Sequence, residues 1–179
     1  MPLDRTQIGR AGELALALYA MVTASGELEL FTPVSDDDHV DVTAGRRGGM
    51  PRLALQVKTA PALDRDGLVE ARAEYPSGRV REHPAFLYAV LWLPAVSIEA
   101  AWIVPSPDFN RLAYHSEVRG RVALELRADP HREDRWTPFQ VAPAELGPHL
   151  MNVADALGGP IPAAFLAEHG GLVVLASRR

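Results

Sequence analysis

The sequence predicts an α/β fold, a mixed sheet of about five strands flanked by α-helices, and three observations predict it. A long apolar helix opens the chain, short strands with alternating or continuous apolar character fill the middle, and helical patterning returns after Pro143. At 179 residues there is chain enough for one well-buried core and too little for two, so residues 1–179 are expected to form one domain. With 47% hydrophobic and 23% charged residues, the chain can offset its conformational entropy, which argues against global disorder.

Asp4-Arg5-Thr6-Gln7 has the form of a capping box, so a helix should start near Arg5 and run to about Ala24. Its middle, Ala11 to Val22, is apolar on nearly every side and carries Glu13 as its one charge, which predicts burial between layers. Ser25-Gly26 ends it. Leu28 to Val34 reads as a strand, Asp36-Asp37-Asp38 as an acidic turn and His39-Val40-Asp41-Val42-Thr43 as the next strand. A turn at Gly45-Arg46-Arg47-Gly48-Gly49 leads into Arg52 to Thr59, where alternation is clear.

Residues 60 to 84 hold Pro61, Pro76 and Pro84 with many charges and form a variable excursion containing one strand at Leu68 to Ala73. Phe86 to Leu93 and Ala100 to Val104 are apolar enough for central strands, which makes Trp92 and Trp102 core residues. Ser106-Pro107-Asp108 offers an N-cap, a first-turn proline and a first-turn acid for a helix to about His115. Strands are expected at Val122 to Leu126 and around Phe139, and a helix after Pro143 that Pro148 kinks or restarts and Gly158-Gly159-Pro160 ends. A last helix, Ala163 to His169, precedes the apolar tail Leu172 to Leu175.

Cysteine is absent, so disulfides and thiolate metal sites are excluded. No signal peptide or membrane span is visible, and the expected location is cytoplasmic, away from membranes. The six histidines lack zinc-ligand spacing. Net charge is −5, so any nucleic-acid binding must come from a local patch. The arginines at 119, 121, 127, 132 and 135 are interleaved with acids, which weakens a patch there.

Chemistry concentrates in the strand around Leu55-Gln56-Val57-Lys58. Alternation turns Leu53, Leu55 and Val57 to one face and Gln56 and Lys58 to the other. A hairpin with the preceding strand lets Asp41 face them. An acid, an amide oxygen and an ammonium on one face suit a hard divalent cation, Mg²⁺ or Mn²⁺, and an activated water. Glu13, alone in its helix, needs a cation or an arginine such as Arg10 to account for its burial. Lys58 is the single lysine among 18 Lys and Arg residues, which argues for a compact ammonium doing what a guanidinium cannot; the plain alternative is a solvated strand-end lysine. Asp41 could equally be a polar residue on an open strand, and Gln56 an amide bonded to backbone. Arg46, Arg47 and Arg52 beside the site could contact phosphate, although turn arginines are usually just solvated.

The order of Gly12-Glu13 in a helix, Asp41 in a strand and Gln56-Val57-Lys58 in the next resembles the PD-(D/E)XK nuclease superfamily, the restriction-endonuclease-like fold, and in particular small bacterial domains with a Gln-x-Lys variant. The motif residues span about the first third of the chain. The resemblance implies a single nuclease-like domain: 1–60 with helix and motif strands, 61–84 the excursion, 85–141 further strands and a short helix, 142–179 helices and tail. It implies Glu13, Asp41 and Gln56 as metal ligands, Lys58 as catalytic, and DNA, or RNA, as partner, with a homodimer or a larger assembly as context. Gln56 replaces the usual acid, which leaves two negative charges instead of three and weaker metal binding. Hydrolysis of phosphodiester bonds in DNA is therefore the expected function, and a non-catalytic nuclease-fold module binding a protein or nucleic acid is the alternative.

Overall fold

The computed structural model of the protein describes residues 3–32 and 39–157. The acidic turn Asp36-Asp37-Asp38, the strand end at Val34, the stop at Gly158-Gly159-Pro160, the helix at Ala163 to His169 and the tail Leu172 to Leu175 lie outside the described residues.

The first helix, α1 (Arg5–Thr23), starts where expected because the capping box forms: the Gln7 amide donates to the Asp4 carboxylate at 2.8 Å and the Asp4 amide donates to Gln7 Oε1 at 3.0 Å. Among the described residues nine strands follow: β1 (Leu28–Phe31), β2 (Val42–Arg46), β3 (Leu53–Ala60), β4 (Val69–Pro76), β5 (Phe86–Trp92), β6 (Ala100–Pro105), β7 (Tyr114–Val118), β8 (Arg121–Ala128) and β9 (Gln140–Val141). The helix α2 (Ser106–Leu112) lies between β6 and β7, and α3 (Leu146–Ala156) follows β9.

The fold class is as expected, with more sheet than the sequence suggested. The main sheet has six strands in the order β1-β2-β3-β5-β6-β9, mixed because β3 and β5 run parallel while the other pairs are antiparallel. On one face α1 and α3 cover Leu53, Leu55, Val57, Leu87 and Ile103. The opposite face is covered chiefly by a second sheet, β4-β8-β7, together with α2, instead of by helices. The supposed excursion therefore contributes a layer. Its strand β4 alternates regularly, turning Val69, Ala71, Ala73 and Tyr75 onto the main sheet and Glu70, Arg72 and Glu74 outwards.

Four local expectations need correction. α1 is buried along one side only, at Gly12, Leu16 and Ala20, while Leu14, Leu18, Met21 and Val22 are exposed. Apolar residues all round the helix predicted two-sided cover, but α3 and the sheet meet a single stripe. The second strand begins at Val42, not His39, and extends to Arg46; Gly45 fits there because a β-carbon would stand 2.8 Å from the Met50 carbonyl oxygen. Ser106 is no N-cap: Pro105 is, and the Ser106 hydroxyl instead accepts from the His83 amide and donates to its carbonyl. α2 stops at Leu112, and β7 occupies residues assigned to its end. Pro148 sits in the first turn of α3, where a missing amide proton costs no helix hydrogen bond, and the helix restarts at Leu146 for that reason. Among the described residues no helix is long and apolar enough to cross a membrane.

Candidate active site on the third strand

Strand β3 runs between β2 and β5, and its burial is nearly complete from Leu53 to Val57, loosening at Lys58 and Thr59. Leu53, Leu55 and Val57 join the core under α1, whereas Ala54 and Ala60 join the core under the second sheet. Gln56 and Lys58 fall on that second face by alternation, as expected. Lys58 is half-buried and interacts with its surroundings; along the parallel ladder it stands opposite Val90 of β5.

Asp41 reaches this strand from just outside β2. The ladder pairs Val42 with Leu55, so the next step backwards brings Asp41 level with Gln56. Here β2 leaves regular pairing. The Asp41 amide still donates to the Leu55 carbonyl at 2.9 Å, and its carboxylate accepts the Val57 amide at 2.6 Å, taking a place a strand carbonyl would otherwise fill. Two bonds, one from its backbone and one to its carboxylate, thus fix Asp41 against β3.

Gln56 is only 2% exposed. The Tyr75 hydroxyl on β4 donates to its Oε1 at 2.9 Å, and the Tyr75 and Tyr88 hydroxyls are 2.6 Å apart. Burial pushes the Tyr75 phenol up to about 12, with the Tyr88 hydrogen bond and the Arg81 charge pulling it back and the Asp41 charge adding to the rise. Tyr88 is raised further, by burial and then by its neighbour Tyr75. The ring of Tyr88 stacks on Phe109 at a centroid distance of 3.9 Å, and His39 meets the edge of Tyr75 at 5.0 Å.

Tyr75, Tyr88 and Arg81 were not singled out from the sequence. Tyr75 carried a signal, a polar tip at the inward position of an alternating strand. Arg81 carried none: it comes from a stretch rich in proline and glycine, yet it is 4% exposed, with its guanidinium 5.1 Å from the centroid of the Phe86 ring.

The remaining candidates sit apart. Glu13 forms an ion pair with Arg10 one turn away on α1. The helix approaches β3 where Gly12 faces Thr59, on the face opposite Lys58. Arg46 makes a two-point contact with Asp155 of α3, at 3.0 and 2.6 Å, and Arg52 reaches the Ala154 carbonyl at 3.5 Å; these two arginines join β2 to α3. The Arg46 contact holds the Asp155 carboxyl below its usual range. Arg47 is exposed in the turn. Among the described residues no three His, Cys, Asp or Glu side chains gather as a metal group. A hard cation here would rest on Asp41 and on oxygens of a bound phosphate, a donor set that suits Mg²⁺, which keeps several waters.

Neither a protein-family model nor a curated protein matches the chain. A solved structure of a bacterial homing endonuclease superposes with a TM-score of 0.54 at 15% sequence identity, covering 86% of this chain and 96% of that one. The chain has a nuclease-like fold.

Proposed function

We propose that the protein is a metal-dependent nuclease of the PD-(D/E)XK type that hydrolyses phosphodiester bonds in DNA, with its active centre on β3. The observation that carries this reading is the Asp41 carboxylate, level with Gln56 and fixed 2.6 Å from the amide of Val57, the residue before Lys58. The nuclease-like fold supports it. A bound Mg²⁺ or Mn²⁺ would be held by Asp41 and by oxygens of the bound phosphate and would supply Lewis-acid stabilisation of the phosphoryl group; the motif implies Gln56 and Glu13 as further ligands, but Tyr75 already engages the Gln56 oxygen and Glu13 is paired with Arg10. Glu13 would have to leave Arg10 to take part. Lys58 would orient the attacking water and offset charge on the phosphate, which a compact ammonium does at short range. RNA is the second substrate class.

Cleavage of supercoiled, linear and branched DNA with Mg²⁺ or Mn²⁺ tests the reading. The wild type should cut, and Lys58→Ala and Asp41→Ala should each lose activity; cutting that survives both substitutions overturns it. A second reading, a nuclease-fold module that binds without catalysis, is favoured by one observation: the Gln56 oxygen is already engaged by Tyr75. Calorimetric titration with Mn²⁺ separates the two, because the module would show no saturable binding dependent on Asp41.

A further inference from the structure

We infer that Gln56 serves this centre through its amide N–H donors and not as an oxygen ligand, and that Tyr75 is the positioning residue that holds it so. The inference rests on the site reading above.

Gln56 and Tyr75 could be joined in two senses, since amide oxygen and nitrogen look alike and a phenol both donates and accepts. Proton counting decides between them. Each phenol has one proton. If Tyr75 gives its proton to Gln56 Oε1, then Tyr88 gives its own to Tyr75, and both phenol protons find an acceptor within the chain Tyr88, Tyr75, Gln56. In the reverse sense Gln56 donates to Tyr75 and Tyr75 to Tyr88. The Tyr88 proton then has no acceptor among the hydrogen bonds of the described residues, although the residue is completely buried. Leaving a buried donor unmade costs more than a made bond gains, so the first sense wins.

A phenol with its ordinary pKa of about 10 is protonated across the neutral range, so Tyr75 stays a donor. Oε1 keeps one further lone pair, but a cation placed on it would stand beside the donating Tyr75 hydroxyl, whereas the two N–H protons of the amide enter none of the hydrogen bonds among the described residues. Donors seek acceptors, and beside Lys58 the fitting acceptor is a non-bridging oxygen of a phosphodiester. Gln56 and Lys58 then form an anion-binding pair on one strand face, while the cation falls to Asp41. Where the motif usually has an acid, this chain would have exchanged a metal ligand for a phosphate ligand.

The test uses the full chain, Mn²⁺ alone by calorimetry, and a dye-labelled duplex oligonucleotide in EDTA by anisotropy. Gln56→Leu and Tyr75→Phe should each leave the Mn²⁺ Kd within about twofold and weaken metal-free oligonucleotide binding by about tenfold. The double variant should be no weaker than Gln56→Leu, because Tyr75 acts through Gln56. A tenfold or greater loss of Mn²⁺ affinity in Gln56→Leu overturns the inference, as do undiminished oligonucleotide binding in both variants and additive losses in the double variant. Asp41→Asn should abolish Mn²⁺ binding; if binding persists, the site reading fails while the Gln56 comparison remains readable. Absence of oligonucleotide binding by the wild type overturns both. Should Gln56→Leu fail to fold, the wild-type side-chain N–H signals of Gln56 decide by NMR. A shift on adding oligonucleotide without metal is expected, and a shift with Mg²⁺ alone and none with oligonucleotide overturns the inference.

Discussion

Gly12 lies so close to Thr59 that a β-carbon added to it would stand 1.8 Å from the Thr59 hydroxyl oxygen, inside any van der Waals contact. This contact seats α1 on the face of β3 opposite Lys58, so the glycine of the Gly12-Glu13 pair has a packing role whatever Glu13 does. Gly12→Ala gains about 1 kcal/mol of helix propensity but must displace a β-branched side chain, a cost of about 1–3 kcal/mol for overpacking and more where the backbone moves. Net destabilisation is expected by urea denaturation. Adding Thr59→Ala should recover most of the loss, since it removes the two contacts at 1.8 and 3.1 Å and leaves the one at 2.9 Å to the Thr59 β-carbon. A double variant no more stable than Gly12→Ala alone would contradict this packing.

Tyr75 is expected to matter for stability as well as for positioning. Tyr75→Phe removes the donor to Gln56 and the acceptor for Tyr88, both buried, and should cost about 1–3 kcal/mol in denaturant unfolding. Tyr88→Phe leaves the Gln56 bond intact and should cost less. Tyr75 is the middle member of the chain whichever way the protons run, so the reverse ranking would contradict the chain itself.

Acid should weaken one link between the second sheet and the loop before β4. Asp64 is held below its usual carboxylate range, first by Arg127, then by the Leu68 amide. A depressed folded-state value means the unfolded chain binds the proton more tightly. The contribution is therefore complete above the unfolded value of about 3.9 and disappears as pH falls through the lower folded value. Asp64→Asn should lower the melting temperature at pH 6 and have a shrinking effect as pH approaches 2. A difference that stays constant over that range would show that the carboxylate charge plays no part.

Periodicity made most of the main sheet legible. β3, β5 and β6 announce themselves by alternation or by runs of apolar residues, and the capping box fixed the start of α1. Two strands of the second sheet, β4 and β8, were legible, but their pairing into a separate layer was not, since no local interval reports it, and β7 was hidden because all its residues are exposed and lie where a helix end was expected. Within the site, Asp41, Gln56 and Lys58 were legible because strand neighbours follow from two-residue spacing. Arg81, Tyr75 and Tyr88 were not, because they approach β3 from separate strands and a connecting segment, and no sequence interval reports that. Arg46 and Arg52, expected near phosphate, pair with α3 instead, since Asp155, more than a hundred residues further on, offers them a nearer anion.

The one-sided burial of α1 gives a last prediction. Leu16 is fully buried against the sheet and α3, whereas Leu18, two residues on and on the other side of the helix, is 57% exposed. Leu16→Ala removes buried methyl groups and leaves a cavity, at about 2–5 kcal/mol. Leu18→Ala removes groups already in contact with water and replaces Leu with a better helix former, so its effect should stay within about 0.5 kcal/mol. Equilibrium urea unfolding of the two variants at micromolar protein would measure both. The contrast depends on which side of α1 is covered, and hydrophobicity alone does not distinguish the two leucines. If Leu18→Ala were as costly as Leu16→Ala, the outer face would have to be covered in solution, and the burial of α1 between two layers that its sequence predicts would be restored.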